Sequence, residues 1–436
     1  MVGNHYPENM ITESFLHFIW KYRLFDSEYF NYKNEKIEVI DTGQHNVSSG
    51  PDFFNAKIKI GQTLWAGNVE IHVRASDWYK HNHQDDPAYD NIILHVVYEP
   101  DIAVFRRNGE EIPFVRLGFH PNLLKRHKIL ITRKKDPECY RVFSRMDGIL
   151  YQDWIGKLGL SRMERRVRYI QQTLQENQYD WDQTFYQILG SAFGSNQNSE
   201  PFRLLTGSVP LNFIYRHRFD PLVLNAAFFG QAGFLDEAIT DDRYYSQLQR
   251  EFKVINNNLP EPLPGKHIWK LMRSRPASFP IVRIPQFIGL VKNTFPFMER
   301  MLETKNADEM AFFFRESVKN YWTDHFLYGI SGRRPQYMPS LSTCRLWVLN
   351  AVIPVLFCYG WSRNKSEICD RAMNLLEQLP PENNVILKKW NTFGIIAKNA
   401  FDSQSLIELK TRYCESNRCT ECMVGHKNLK NAVTEG

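Results

Sequence analysis

The chain lacks any uninterrupted apolar run of the ~18 residues that a membrane span needs. The nearest approach, Leu346 to Trp361, is broken by Asn350 and Pro354 and reads as a buried helix. Met1 to Met10 is polar and has no apolar core of a secretion signal. Seven cysteines among 436 residues are too few, and odd in number, for a disulfide framework. Reduced thiols and a cytoplasmic setting, with no membrane partner, are the expectation. There is no Gly-rich phosphate loop, no Gly-x-Ser-x-Gly elbow, no internal repeat and no low-complexity tract. That excludes the commonest nucleotide-binding and serine-hydrolase signatures. Charge of one sign is nearly balanced: 54 Lys+Arg against 48 Asp+Glu gives +6, which permits a polyanion partner without requiring one.

What is present is apolar and aromatic: 43% hydrophobic residues and ten tryptophans suffice for large cores. The length suggests two or three domains. Patterns are strand-like up to about Phe119 and helical beyond about Asp147. We therefore expect an α+β domain with a mixed sheet over residues 1–120, a basic connector over 121–148 containing Arg133-Lys134-Lys135, and a helical domain over 149–436.

In the first domain a helix is expected from Thr12 to about Phe25, with Phe15, Phe18, Ile19 and Tyr22 on one stripe. Strands follow at Lys36 to Asp41, around Ala56 to Ile60, at Leu64 to Val73 and at Asn91 to Glu99. Gly61-Gln62 marks a tight turn and Asn108-Gly109 a hairpin. The run Ile92 to Val97, apolar on both faces, predicts a covered central strand. In the helical region Ser161 to Glu164 fits a capping box. Asp180 to Phe193, Asp220 to Phe229 and Ala307 to Asn320 read as helices.

The stretch richest in chemistry is Ser49-Gly50-Pro51-Asp52-Phe53 followed by Gly67-Asn68-Val69-Glu70-Ile71-His72. Residues i and i+2 of a strand share a face, so Glu70 and His72 point the same way. Asp52, entering the preceding strand, is placed to meet them. Two carboxylates and an imidazole at one point make a site for Mg²⁺ or Mn²⁺ acting on a phosphodiester.

This pattern resembles the PD-(D/E)XK phosphodiesterase superfamily, whose core runs helix, three strands, helix, strand. Pro51-Asp52 and Glu70-Ile71-His72 occupy the signature positions, and Glu13 matches an acid that some members carry on the first helix. The resemblance covers about Ile11 to Glu99 and departs from the pattern where His72 replaces lysine. It implies metal-dependent nucleic-acid hydrolysis, with Asp52 and Glu70 holding the ion and His72 as base or ligand. Over nearly its full length the chain also looks like a bacterial family known only as a domain of unknown function, on Ser49 to Phe53, Gly67 to His72, Ser76-Asp77-Trp78, Tyr89 to Tyr98, Phe228 to Gly233 and Phe279 to Phe287.

Two rivals stand beside the nuclease reading. A non-catalytic scaffold binding nucleic acid or protein would retain the site as a relic. A zinc hydrolase would use His81 and His83 with His95, although His81 and His83 read more plainly as solvated residues of an Asp-rich loop. At the C-terminus, Cys414-x4-Cys419-x2-Cys422-x3-His426 supplies four ligands for a structural zinc, with Cys139 as an alternative fourth. Arg162, Arg165, Arg166, Arg168 and Arg283 are candidate phosphate contacts, as are Arg273, Arg275, Arg333 and Arg334, with Tyr169, Phe279 and Tyr337 near them to stack on bases.

Overall fold

The computed structural model describes residues 11–26, 30–33, 35–46, 49–132, 139–236, 242–263, 265–270, 279–294, 296–304, 306–315, 320–323, 325–331 and 338–434. Arg133 to Lys135, Arg273, Arg275, Arg333, Arg334 and Tyr337 lie outside them. Two compact units result. The first comprises residues 1–154, 390–395 and 408–436, and the second residues 155–389 and 396–407. The C-terminal cysteines are therefore built into the first unit rather than into the helical one.

The first unit opens with α1 (Glu13–Lys21), which begins where the Thr12 hydroxyl accepts from the Phe15 amide. Its apolar stripe buries Phe15, Leu16, Phe18, Ile19 and Trp20. The strands β1 (Asn31–Tyr32), β2 (Glu35–Asp41), β3 (Gln44–His45), β4 (Phe53–Ile60), β5 (Thr63–Arg74), β6 (Ile92–Glu99) and β7 (Phe114–Arg116) form one mixed sheet. Its order is β1-β2-β4-β5-β6-β7, with β3 paired to β4. The turn between β4 and β5 falls at Gly61 (φ +57°), where the left-handed backbone favours glycine.

β4 and β5 are antiparallel, whereas β5 and β6 are parallel. A parallel pair needs a crossover. Here residues 75–91 supply it, including α2 (Asp77–Lys80) and two short 3₁₀ turns. In chain order the unit runs α1-β1-β2-β3-β4-β5-α2-β6-β7, so the short strands β1 and β3 interrupt the expected helix-strand-strand-strand-helix-strand order and α2 is a single turn. β6 is buried from Ile92 to Val97. Leu94 and Val96 pack with Phe15 and Ile19, while Ile92 and Val97 join Trp78 and Tyr89. The expected hairpin at Asn108-Gly109 is reduced to a turn closed by a single bridge, Phe105 to Glu111, and the next strand, β7, runs parallel to β6 instead.

The expected connector is helical where it is described: α3 (Pro121–Thr132) and α4 (Cys139–Ser144). The second unit is mostly helical. Residues Gly148–Glu176 form one long helix, so Ser161 lies in its interior and is not an N-cap. The Met163, Val167, Ile170 and Leu174 stripe is buried as the 3.6-residue period requires. Asp180 and Asp220 do cap helices, at Trp181–Phe193 and Pro221–Gln231. The helix expected from Ala307 ends at Phe313. Leu341–Ser362 is long and apolar enough to cross a membrane by composition, and 67% of its apolar window is buried inside the protein. It contains a π turn at Val348–Val352, just ahead of Pro354, which has no amide hydrogen to continue the regular ladder.

Candidate metal centre

β5 presents Glu70 and His72 on one face, and parallel pairing sets His95 of β6 opposite Glu70. Asp52 stands just before β4, where Phe53 pairs with Val69. The chain ties Asp52 to Glu70 in two places. The Asp52 amide donates to Glu70 Oε2 at 3.1 Å, and Asp52 Oδ2 accepts from the Ile71 amide at 2.9 Å. From α1, His17 Nε2 reaches Asp52 Oδ2 at 3.2 Å.

The crossover brings in two more rings. Asn82 adopts a left-handed conformation (φ +59°) between His81 and His83. His81 Nδ1 then lies 3.2 Å from His72 Nε2, and His83 Nε2 lies 3.3 Å from Glu70 Oε1. His72 Nε2 is itself 3.6 Å from Glu70 Oε1. Among the described residues, His72, His81 and His83 are the set whose ligand atoms all fall within 4.8 Å of one another. His83 stacks on Tyr89 at 3.8 Å between ring centroids. Its Nε2 is sealed from solvent, as is Nε2 of His17.

Burial and mutual charge set the protonation. Glu70 is 4% exposed, and burial, reinforced by the Asp52 carboxylate, raises its pKa to about 9. Burial, then the neighbouring imidazoles of His95, His83 and His81, lowers His72 to about 2. His95 is lowered to about 3, first by burial. Burial would also lower His17, but the hydrogen bond and charge of Asp52 outweigh it and leave it raised. Glu13 is raised by burial, partly offset by His81 and reinforced by Asp52, so it stands within electrostatic reach of both. The rings of His72, His81 and His83 bring three imidazole nitrogens together. Imidazole nitrogens of this kind suit borderline transition ions such as zinc.

Asp52, Glu70, His72 and Glu13 are therefore brought to one region. His81 is exposed, as its loop setting predicts, and His83 is half-buried, but both rings turn back toward β5. His95 does not complete a His81–His83 set. It lies behind His72, with Nε2 2.8 Å from His72 Nδ1. His17 and the pairing of His83 with Glu70 were not anticipated. The i, i+4 spacing of Glu13 and His17 on α1 was the available signal.

A family model described as protein of unknown function (DUF2851) matches residues 13–385. The chain belongs to that family. The DUF2851 match takes in every residue of the histidine–carboxylate cluster and stops short of Cys414, Cys419 and Cys422. No curated protein and no solved structure matches the chain.

The other expected sites need correction. His426 is not turned toward the cysteines: its Nδ1 faces the Tyr22 hydroxyl at 2.9 Å, and Nε2 bonds the Thr420 carbonyl. Both nitrogens are engaged, so it cannot be the fourth zinc ligand. Of the arginines, Arg283 is buried, with its guanidinium over Trp347 and Nη1 donating to Gln286, and it has no access to a phosphate. Arg162 bonds Gln404, and Arg166 donates to the Leu349 carbonyl and to Asn350. Arg165 is half-buried, whereas Arg168 is exposed.

Proposed function

We propose that the first unit is a metal-dependent phosphodiesterase of nuclease type, with its ion on His72, His81 and His83 and Glu70 beside it. The observation that carries this is the convergence of three imidazole ligand atoms within 4.8 Å next to a buried carboxylate. The donor set favours zinc over Mg²⁺ or Mn²⁺, because imidazole nitrogens suit borderline ions while Mg²⁺ and Mn²⁺ prefer oxygen. Asp52 just before β4 and Glu70-Ile71-His72 on β5, with β6 following after a crossover, support the phosphodiester substrate by the resemblance described above.

A bound ion would acidify a water and polarise a phosphoryl oxygen. The chain's own residues do the rest. His95 fixes the His72 ring through Nδ1, so that Nε2 would be the atom to hold an ion. Glu70 is held protonated at neutral pH by burial and by Asp52, and can pass a proton at Oε1. His17 keeps Asp52 Oδ2 oriented.

The test is cleavage of single- and double-stranded DNA and RNA with Mn²⁺ or Zn²⁺, comparing wild type with Glu70→Gln and His83→Ala. We expect both variants to lose ~10²-fold or more. Equal rates in all three proteins sink the assignment. Metal binding without cleavage by any of them would favour the scaffold reading instead.

A further inference from the structure

We infer that the first unit carries a four-iron iron–sulfur cluster on Cys139, Cys414, Cys419 and Cys422. This stands apart from the histidine cluster and does not depend on the function proposed for it.

The four cysteines line one cavity, with Leu130 and Tyr140 among its apolar walls. Cys139 comes from α4, and the other three come from the C-terminal segment. All are free thiols, and Cys422 is buried. They sense one another: the charges of Cys422, Cys419 and Cys414 all act on Cys139. The cavity is thus offered four sulfur ligands. His426, the expected nitrogen ligand, is held by Tyr22 and Thr420.

Spacing decides what the sulfurs can hold. A tetrahedral zinc with Zn–S bonds of about 2.3 Å brings its ligand sulfurs to about 3.8 Å of one another. No three of these sulfurs lie mutually within 4.8 Å; among the described residues only the histidine set does. A single ion is too small to bridge them. A cube of four irons and four sulfides has its thiolates at the corners of a much larger tetrahedron and takes four cysteines.

The surrounding backbone fits the same ligand. The amides of Val424 and Gly425, opening the helix Met423–Thr434, direct N–H groups at Cys422. Such bonds tune and stabilise cluster sulfurs. Gly425 is required by the approach, because a Cβ there would lie 2.1 Å from the Cys419 carbonyl oxygen. Transfer of an assembled cluster exchanges four thiol protons for four Fe–S bonds, with no change in oxidation state.

The full chain, purified without oxygen, should be brown and hold about four iron and four acid-labile sulfide per molecule, with a paramagnetic signal after dithionite reduction. Cys139→Ser should lose most of the iron and colour, while His426→Gln and His83→Ala keep both. One zinc with no sulfide overturns the inference. So does a colourless, iron-free wild type after reconstitution with ferrous iron and sulfide, which is decisive even if Cys139→Ser misfolds. Iron unchanged in a folded Cys139→Ser would remove that residue and the proposal with it.

Discussion

His72 and His95 face each other through ring nitrogens 2.8 Å apart, on adjacent parallel strands and sealed from solvent. When His72 Nε2 offers its lone pair to an ion, its proton sits on Nδ1 and is donated to His95 Nε2. In the proposed centre His95 would thus be a positioning residue. Removal of such a partner costs metal affinity by about 10- to 100-fold. We expect His95→Ala to lose that much in a zinc titration. His95→Gln, which can still accept at the same place, should recover part of it. Unchanged affinity in both variants would show the contact to be packing alone.

The same burial predicts an acid-labile apoprotein. His72 and His95 fall to about 2 and about 3 in the folded chain, below their unfolded value near 6.5. A group with a depressed histidine pKa stabilises fully above the unfolded value and loses that stability as pH falls below it. Glu70 works the other way: raised to about 9, it stabilises most below about 4.5 and less as pH rises through 9. Between pH 6.5 and 4.5 two protons are resisted and one is welcomed, so the net effect is loss. Chelator-treated protein should therefore show a Tm falling over that range, and His95→Leu should flatten the fall. A Tm that rises on acidification would contradict it.

Gly67 is on β5, three residues before Glu70, and a side chain there has nowhere to go. A Cβ would meet Ile93 Cγ2 at 2.4 Å and the Asn91 carbonyl oxygen at 2.8 Å. Gly67→Ala should destabilise by about 1–3 kcal/mol. It should also weaken metal binding by displacing Glu70 from Asp52. The urea midpoint and a zinc titration read the two effects separately.

Arg283 lies in the core of the second unit, and burial lowers its pKa to about 10. Replacing a buried charge by an apolar side chain of similar volume is often neutral or stabilising by about 1–4 kcal/mol. Arg283→Met should therefore hold or raise the urea midpoint, whereas Arg283→Ala leaves a cavity and lowers it. Neither should change nucleic-acid affinity. A weaker complex with Arg283→Met at full stability would return this residue to the surface.

What could be read from the sequence was what depends on short-range geometry. The period of two placed Glu70 and His72 together, the Pro-Asp turn placed Asp52 at the head of its strand, and the unbroken run Ile92 to Val97 marked the covered strand. Long-range relations were not legible. His81 and His83 reach the site because Asn82 turns left-handed, and polar loop composition carries no sign of that. Cys139 shares a cavity with Cys414 across 275 positions (414 − 139), a separation with no local signature. Ser161 fails as a cap for a similar reason: its local pattern is correct, but packing continues the helix on both sides of it. Arg283 looked like surface charge because burial of a cation beside Trp347 is decided by tertiary contacts alone.

The direction of one strand has a further consequence. Had β6 run against β5, a tight turn would have joined them, and no chain would have passed above the carboxylates. Because it runs with β5, the polypeptide must travel back over the sheet, and both loop imidazoles ride on that return journey. Shortening the passage between residues 75 and 91 would thus erase the ligand set and forbid the strand pairing in a single stroke.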